Sequence, residues 1–374
     1  MSKNTKEKER VVSFPRMGNA HIPVVAMFQT MGAKIQLSDP NNRETLSIGT
    51  RHSVETVCLP YKLNLGNYIQ AIESGANTLI MFEAPGSCRL GNYAALADAK
   101  LKELGYDCEM VVFNLYKGKI SEIIKKFSYA TGCKSFIKAI KGFRLGHSKF
   151  DAMDTVERAL FHYRPREIKQ GDSEKVYKRA LKEIENANRV RTVKQATEKA
   201  LKAFQQIPID KDREIIKVYL TGEFFVLLDP FTNMEIEKEL GYLGVEVERQ
   251  VMLSDWTNNI LLPKWLHKKE SHRQKAMRYS GTYMTRAIGG DCVESIGDTV
   301  HASRIGIDGV VHIGPFNCNP EVVSQNILPH VSKNESIPVI SLSMDEQTGR
   351  AGLVTRLEAF VDLIRRRKRS AVAI

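Results

Sequence analysis

Short apolar runs alternate with helical stretches along much of the chain, and this alternation constrains the fold more than any other feature. The runs VVSF, KIQL, TLIMFE and EMVVFN follow Arg10, and IIKVYL, VEVERQV, GVVHIG and PVISLSM follow Glu214. Strand-like runs separated by helical segments are typical of parallel sheets covered by helices. We therefore expect an α/β protein with two Rossmann- or flavodoxin-like parallel-sheet domains and a helical insert between them.

The middle of the chain lacks strand-like runs. Between residues 120 and 211, segments such as VYKRALKEIENA and ATEKALKAFQQI carry apolar residues at helical spacing. A chain of 374 residues also exceeds the size of one ordinary core. We predict a first α/β domain over residues 1–118, a helical insert over 119–211 and a second α/β domain over 212–374. The last helix is expected from Gly352 to Arg366, with a loose tail after it.

Composition limits the possible partners and location. No run of about 18 apolar residues is available to cross a bilayer, and the opening MSKNTKEKER lacks the apolar middle of a secretory signal. These features predict a cytoplasmic protein with no membrane contact. The net charge of +12 makes nucleic acid a partner to consider. The basic residues accompany no zinc-finger, RNP-like or KH-like motif, however, so we interpret them mainly as solvated helical faces.

Three of the six cysteines occupy matching positions in the predicted fold. Cys58 lies just before a helix that contains Pro60, Cys88 follows the run TLIMFE, and Cys318 follows GVVHIG and precedes Pro320. Loops at the carboxyl ends of parallel strands gather at one sheet edge, so we expect these thiols to converge. Helix N-termini lower thiol pKa values and favour metal binding. Iron–sulfur clusters, zinc and copper(I) all accept such ligands, and a lone cysteine can also be a small packing residue.

Charged residues near these cysteines are candidates for catalysis and binding. Glu55 and Lys62 flank the first cysteine, and we predict Glu55 as a catalytic proton donor or acceptor and Lys62 as a cofactor-binding residue. Arg89 is a second catalytic candidate that would neutralise cluster charge or bind an anionic substrate. Arg16, after the first strand, is a second cofactor-binding candidate. The alternatives are a surface ion pair, an arginine in solvent and, for the Arg16 loop, a simple turn.

The remaining cysteines and an acidic pair near the last strand receive structural interpretations. Cys292 lies in a glycine-rich segment and is a weaker candidate for a fourth ligand, whereas Cys108 and Cys133 are expected to pack. Asp345 and Glu346 follow the last strand, where hydrogen bonds to them would close the interface between the domains.

Several longer strings resemble one family. FPRMGN, LSIGTRHSVETVCLPYKLNLGN, GSCRLGNY, GPFNCNPE and IPVISLSMDEQTGRAGLVTRLEAF look like the D-component side of the 2-hydroxyacyl-CoA dehydratase superfamily, in the branch related to CoA-substrate-specific enzyme activases. Double-cubane cluster proteins are further relatives. In that superfamily two cysteines about thirty residues apart and a third far downstream hold a 4Fe–4S cluster or half of an 8Fe–9S double-cubane cluster. Here the spacings are 30 and 230 residues, so the resemblance implies that Cys58, Cys88 and Cys318 are the ligands.

The resemblance also implies partners and a reaction. A separate ATP-dependent iron–sulfur activator would supply one low-potential electron, which in dehydratases forms a ketyl radical on an acyl-CoA thioester and in double-cubane relatives reduces small molecules. This chain carries no G-x-x-x-x-G-K-S/T signature of its own. A homodimer or a pairing with a homologous subunit is expected. The alternative function is a non-catalytic electron-relay or scaffold subunit of such a complex.

Overall fold

The computed structural model describes residues 9–83, 86–114, 120–249, 251–254 and 270–372. Within these ranges the chain forms two four-stranded parallel sheets flanked by helices, which confirms the predicted α/β class. The first sheet has the order β2-β1-β3-β4 and the second the order β6-β5-β7-β8. Each order matches the first four strands of a flavodoxin-like sheet. The strands are β1 (Val11–Ser13), β2 (Lys34–Ile35), β3 (Thr78–Glu83), β4 (Glu109–Asn114), β5 (Ile216–Gly222), β6 (Val245–Arg249), β7 (Gly309–Pro315) and β8 (Val339–Met344).

The helices occupy the segments that the helical spacing predicts. None of those in the described ranges is long and apolar enough to cross a bilayer. In chain order they are α1 (His21–Met31), α2 (Arg43–Arg51), α3 (Leu59–Glu73), α4 (Tyr93–Glu103), α5 (Ile120–Thr131), α6 (Phe136–Tyr163), α7 (Asp172–Asn186), α8 (Val190–Gln205), α9 (Phe224–Leu228), α10 (Ile236–Tyr242), α11 (His272–Ser280), α12 (Cys292–Arg304), α13 (Asn319–Asn334) and α14 (Arg350–Val372).

The central strand β7 lies in the interior of the second domain. All seven of its residues are buried. A strand that is buried on both faces is typical of a sheet with helices on both sides, and it appears in the sequence as a nearly continuous apolar run. The apolar side chains of β5, β6 and β7 join those of α9, α10 and α14 in one core cluster.

Helices α5 to α8 lie between the two sheets in the chain, where the insert is predicted. Apolar side chains of α6, α7 and α8 form a core of their own, which Ile22 of α1 and Leu228 of α9 also enter. The insert therefore packs against elements of both halves. The predicted boundary at residue 118 lies outside the described residues, and the boundary at 211 falls between the end of α8 and the start of β5.

The prediction of a loose tail after Arg366 was wrong, because α14 continues to Val372. Basic side chains of its last turns bond back to the second domain. Arg365 donates to the Leu243 carbonyl at 2.6 Å, and the Lys368 ammonium lies 3.0 Å from the Asp308 carboxylate. These contacts hold the last turns of the helix against the second domain.

Helices α2 and α3 approach each other closely through two glycines. A Cβ atom on Gly49 would lie 1.7 Å from the carbonyl oxygen of Lys62, and one on Gly66 would lie 2.1 Å from the carbonyl oxygen of Thr45. No side chain fits at either crossing point unless the helices move apart. This packing fixes α3, the helix that begins directly after Cys58.

We predict that Gly49→Ala destabilises the protein by about 3 kcal/mol, because the new methyl group collides with backbone that cannot yield. Gly352→Ala is the matched control, since its added Cβ meets no atom within 4 Å. That control should be neutral or stabilising by up to about 1 kcal/mol. Urea and thermal unfolding of both variants measure the difference, and equal effects would contradict the close approach of α2 and α3.

Candidate metal centre

The three predicted ligands occupy the same structural position in three different loops. Cys58 and Cys318 are the residues immediately before α3 and α13, and Cys88 immediately precedes a short 3-10 helix, Arg89–Asn92, that leads into α4. Each cysteine has an extended backbone, and each helix therefore begins with its unpaired N–H groups beside a thiol. Cys88 and Cys318 follow the carboxyl ends of β3 and β7, central strands of the two sheets.

Arg89 links the loops that carry the three cysteines. Its guanidinium donates to the carbonyl oxygen of Thr56 at 2.6 Å and lies 3.4 Å from the side-chain oxygen of Asn319. Thr56 is two residues before Cys58, and Asn319 directly follows Cys318. One side chain next to Cys88 thus spans both other loops, so the three loops meet.

A second set of contacts joins the Cys88 loop to the second domain. Gly86 pairs with Gly289 in an antiparallel bridge, and the Ser87 amide donates to the Ile288 carbonyl at 2.9 Å. A Cβ atom on the neighbouring Gly290 would lie 2.5 Å from Pro320 Cγ and 3.6 Å from Cys88 Cβ. The start of α13 and the Cys88 side chain therefore both pack against the glycine-rich segment that contains Gly290.

The thiol of Cys58 faces the same region. Its Sγ lies 2.6 Å from the hydroxyl of Tyr93, the first residue of α4. Its electrostatic influence reaches both Cys88 and Cys318. These contacts bring the loops together, and the expectation that the three sulfur atoms themselves converge stays a prediction.

The three meeting loops offer thiols as donors. Thiolates are the ligands that iron–sulfur clusters require. Within the part of the chain that the structure describes, no three His, Cys, Asp or Glu side chains are grouped so that they could hold a metal ion.

The expectation that helix starts lower the thiol pKa values was wrong, because burial raises the pKa of all three cysteines. Burial raises the pKa of Cys88 to about 12, and nearby Glu223 and Asp291 add to this effect. Burial also raises the pKa of Cys318, with Glu223 and Glu321 adding to the shift. Metal binding at this site would therefore have to displace thiol protons.

The pKa of Cys58 is raised by burial as well, but two neighbours oppose the shift. The hydrogen bond from the Tyr93 hydroxyl and the positive charge of Arg89 both favour its thiolate, whereas Glu223 disfavours it. Arg89 therefore contributes electrostatically to the site besides joining its loops. This position is consistent with the predicted role of neutralising charge, which stays a prediction.

Glu223 is the carboxylate that sequence reasoning missed. It follows the last residue of β5 and caps α9, where its side chain accepts from the Val226 amide at 2.9 Å. Burial raises its pKa to about 7, and Glu321 adds to the shift. Glu223 influences all three cysteines electrostatically. The only signal in the sequence was its place directly after an apolar strand at the ligand-binding edge.

A buried histidine–carboxylate pair lies behind Cys318. His312 of β7 and Glu321 of α13 are fully buried, and His312 Nε2 lies 2.6 Å from Glu321 Oε2. Ser295 donates to the same oxygen at 2.9 Å. This group fixes the first turn of α13 against the sheet and so positions the cysteine that precedes it.

The two charged residues predicted beside Cys58, Glu55 and Lys62, differ in burial. Glu55 has an exposed side chain, and its backbone carbonyl accepts from the Lys62 ammonium at 3.0 Å. Lys62 is buried and lies 2.6 Å from the Glu346 carboxylate. Lys62 thus joins the first half of the chain to the loop after β8, an interface role that the sequence suggested for Glu346. The predicted roles of Glu55 in catalysis and Lys62 in cofactor binding stay predictions.

The other predicted loop residue, Arg16, lies after β1 at the carboxyl edge of the first sheet. Its neighbour Asn19 donates to the Tyr177 hydroxyl at 3.1 Å, within a short 3-10 turn, Gly18–Ala20. The turn that was the alternative interpretation is therefore present. The Arg16 side chain itself is buried and is considered below.

The remaining cysteines make none of the contacts described above, although Cys292 lies two residues after Gly290. Cys292 is fully buried in an apolar cluster at the start of α12, with its Sγ 3.8 Å from Met284 Sδ. Cys108 packs at the edge of the first-domain core. Cys133 is half-buried between α5 and α6, where its thiol donates to the Ser135 carbonyl.

Neither the protein-family profiles nor the curated proteins compared with this chain give a match. The resemblance to the dehydratase superfamily therefore stays a prediction that rests on the cysteine motifs and their neighbours.

We predict that Glu223→Gln makes the free protein more stable near pH 8. Between pH values of about 4.5 and 7 the folded chain keeps a proton on Glu223 that the unfolded chain releases, so stability falls as pH rises through this window. The charged carboxylate then costs on the order of 2–3 kcal/mol, and glutamine keeps the acceptor for the Val226 amide.

Thermal unfolding across this pH range measures the effect. The exposed Glu198→Gln on α8 is the control and should follow the wild-type profile. A Glu223→Gln profile that runs parallel to the wild type would contradict the burial of this charge.

Glu346→Gln should destabilise the protein by about 3 kcal/mol, because it leaves the buried Lys62 ammonium without a carboxylate. Lys62→Met in the same background should recover part of the loss, since it removes the unpaired charge. The exposed Glu358→Gln on α14 serves as the control. Urea unfolding of the set tests the pair, and additive effects of the two changes would argue against direct coupling.

Proposed function

We propose that this chain binds an iron–sulfur cluster through Cys58, Cys88 and Cys318 and accepts low-potential electrons for reductive chemistry. The reaction is either dehydration of a 2-hydroxyacyl-CoA type of substrate or reduction of another small molecule. The observation that carries the proposal is the meeting of three cysteine loops around Arg89. These loops come from distant parts of the sequence, and two of them follow strands at the sheet edge where α/β proteins bind their ligands.

Positive groups beside the thiols would offset part of the negative charge of an electron-accepting cluster. Such a group supplies one-electron transfer when bound. Three helix starts direct N–H groups toward the cysteines, and Arg89 adds a positive charge that offsets the negative charge of thiolates and sulfide. Burial away from water then increases the strength of these interactions.

Glu223 is the residue best placed to supply a proton in such a reaction. With a pKa of about 7 it is half protonated at neutral pH, so it can give up a proton without a large cost. Its neutral form also avoids placing a negative charge beside an anionic cluster. We infer that Glu223, rather than the exposed Glu55, is the proton donor of the site.

The proposed partners rest on the resemblance to the dehydratase superfamily. We propose that a separate ATP-dependent iron–sulfur activator delivers the electron, since this sequence carries no phosphate-binding signature for ATP. A second copy or a homologous subunit would complete the enzyme, with acyl-CoA as a substrate class. We place this chemistry in the cytoplasm, where free thiols persist.

Iron and sulfide analysis of the anaerobically reconstituted protein tests the proposal. The wild-type chain should be brown and hold about 4 iron atoms per chain. Cys58→Ser, Cys88→Ser and Cys318→Ser should each lose most of this iron, because a hydroxyl is a poor ligand for the cluster. Cys133→Ser is the matched control and should keep it, since its thiol lies between α5 and α6.

Two outcomes would contradict the proposal: a wild-type chain that retains no iron and sulfide after reconstitution, or equal retention in all four variants. Circular dichroism of each variant before reconstitution separates loss of ligand from loss of fold. A chain that binds the cluster, yet transfers electrons to no substrate, would instead be a relay subunit.

A further inference from the structure

The backbone of the Arg16 loop is held rigidly by polar side chains. The Arg16 amide donates to the Asn67 side-chain oxygen at 2.5 Å, and Asn41 donates to the Arg16 carbonyl at 3.1 Å. Two residues later, the Gly18 amide donates to the Asp229 carboxylate at 3.0 Å. All three bonds involve backbone atoms of the loop, so the position of the Arg16 Cα atom is fixed.

The guanidinium of Arg16, in contrast, has no partner in the described part of the chain. Only 9% of the residue is exposed. Its Nε is enclosed without a hydrogen bond, and no carboxylate among the described residues comes within ion-pair distance of it. Asp39, Glu185 and Asp229 act on it only through longer-range electrostatics. Arginines that are this buried normally form paired, charge-assisted bonds.

A second buried cation lies near this position. Helices α1 and α6 pack antiparallel, with Gly142 facing the Met27 carbonyl and Gly146 facing that of Pro23. The next turn of α6 carries Lys149, which is therefore level with the loop before α1. Lys149 is 2% exposed.

Lys149 has a single acceptor among the described residues. Its ammonium donates to the Glu185 carbonyl at 2.7 Å and pairs with no described carboxylate. The Glu185 side chain acts electrostatically on both Lys149 and Arg16. Glu185 therefore lies within electrostatic range of both cations.

We propose that Arg16, supported by Lys149, binds an oxyanion, either the carboxylate or the phosphate group of a small molecule. The planar fork of a guanidinium matches two oxygens of such a group, and a second cation nearby increases the attraction. A rigid backbone with an unpaired cation is what a preorganised anion site requires.

The site lies on the same side of the sheets as the cysteines. A Cβ on Gly18 would lie 2.2 Å from the carbonyl oxygen of Leu228, the last residue of α9, and Glu223 precedes the first residue of that helix. Five helical residues span roughly 8 Å. The assignment of the anion to a substrate rests on the proposed redox function. In that case the bound oxyanion is part of the molecule that is reduced.

Thermal unfolding of the full-length, iron-free chain in Tris–chloride buffer tests the binding site without relying on the cluster. Inorganic phosphate and acetate are added separately at millimolar concentration. The wild type should gain at least about 2 °C with one or both anions. A gain with phosphate alone identifies the phosphate group, and a gain with acetate identifies the carboxylate.

Two substitutions at Arg16 separate a binding role from a structural one. Arg16→Met should melt at a higher temperature than the wild type without added anion, because an unpaired buried charge is removed, and it should lose the anion response. Arg16→Lys keeps the charge but not the fork and should respond about ten times more weakly in apparent Kd. The exposed Arg51→Met is the control and should respond as the wild type does.

The proposal is overturned if neither anion stabilises the wild type, or if Arg16→Met responds as strongly as the wild type. General stabilisation by phosphate through exclusion from the surface would affect all variants alike. If Arg16→Met does not fold, the response of Arg16→Lys decides. Iron content is unaffected by these outcomes, so a failure of the anion site is distinguishable from a failure of the cluster.

Discussion

The structure depends on one topological constraint, that the loops after the central strands of two parallel sheets meet each other. Cys88 and Cys318 follow β3 and β7, and the guanidinium of Arg89 bonds to loop residues beside Cys58 and Cys318. The buried ion pair of Lys62 and Glu346 fixes the two halves in this arrangement. Because residues 230 positions apart in sequence are held together in this way, small changes at the interface should be felt at the thiols.

Electrostatics at the junction oppose negative charge on the free thiols. Burial raises the pKa values of the three thiols and of Glu223, and Glu223 itself adds to the shift of each thiol. The positive charge of Arg89 and the starts of three helices act in the opposite direction. A bound metal would have to replace the thiol protons.

The sequence predicted the sheets and the position of the cysteines because both depend on local patterns. A run such as GVVHIG indicates a buried strand, and a cysteine before a proline-containing first turn indicates a helix start. Glu223 was missed because TGEF contains no motif, and its raised pKa arises from neighbours distant in sequence. The unpaired Nε of Arg16 was equally hidden, since its burial arises only in the folded chain. The bonds of Arg365 and Lys368 likewise stabilise the last turns of α14, which extends beyond the end at Arg366 that its apolar spacing predicts.

The central claim concerns where iron would bind, and anomalous diffraction at the iron absorption edge locates it most directly. Crystals of the anaerobically reconstituted protein should give anomalous density for several iron atoms between the two sheets, with one iron within bonding distance of each of the three cysteine sulfur atoms. A peak elsewhere on the chain, or clear density for three free thiols in a protein that had been supplied with iron and sulfide, would contradict the account.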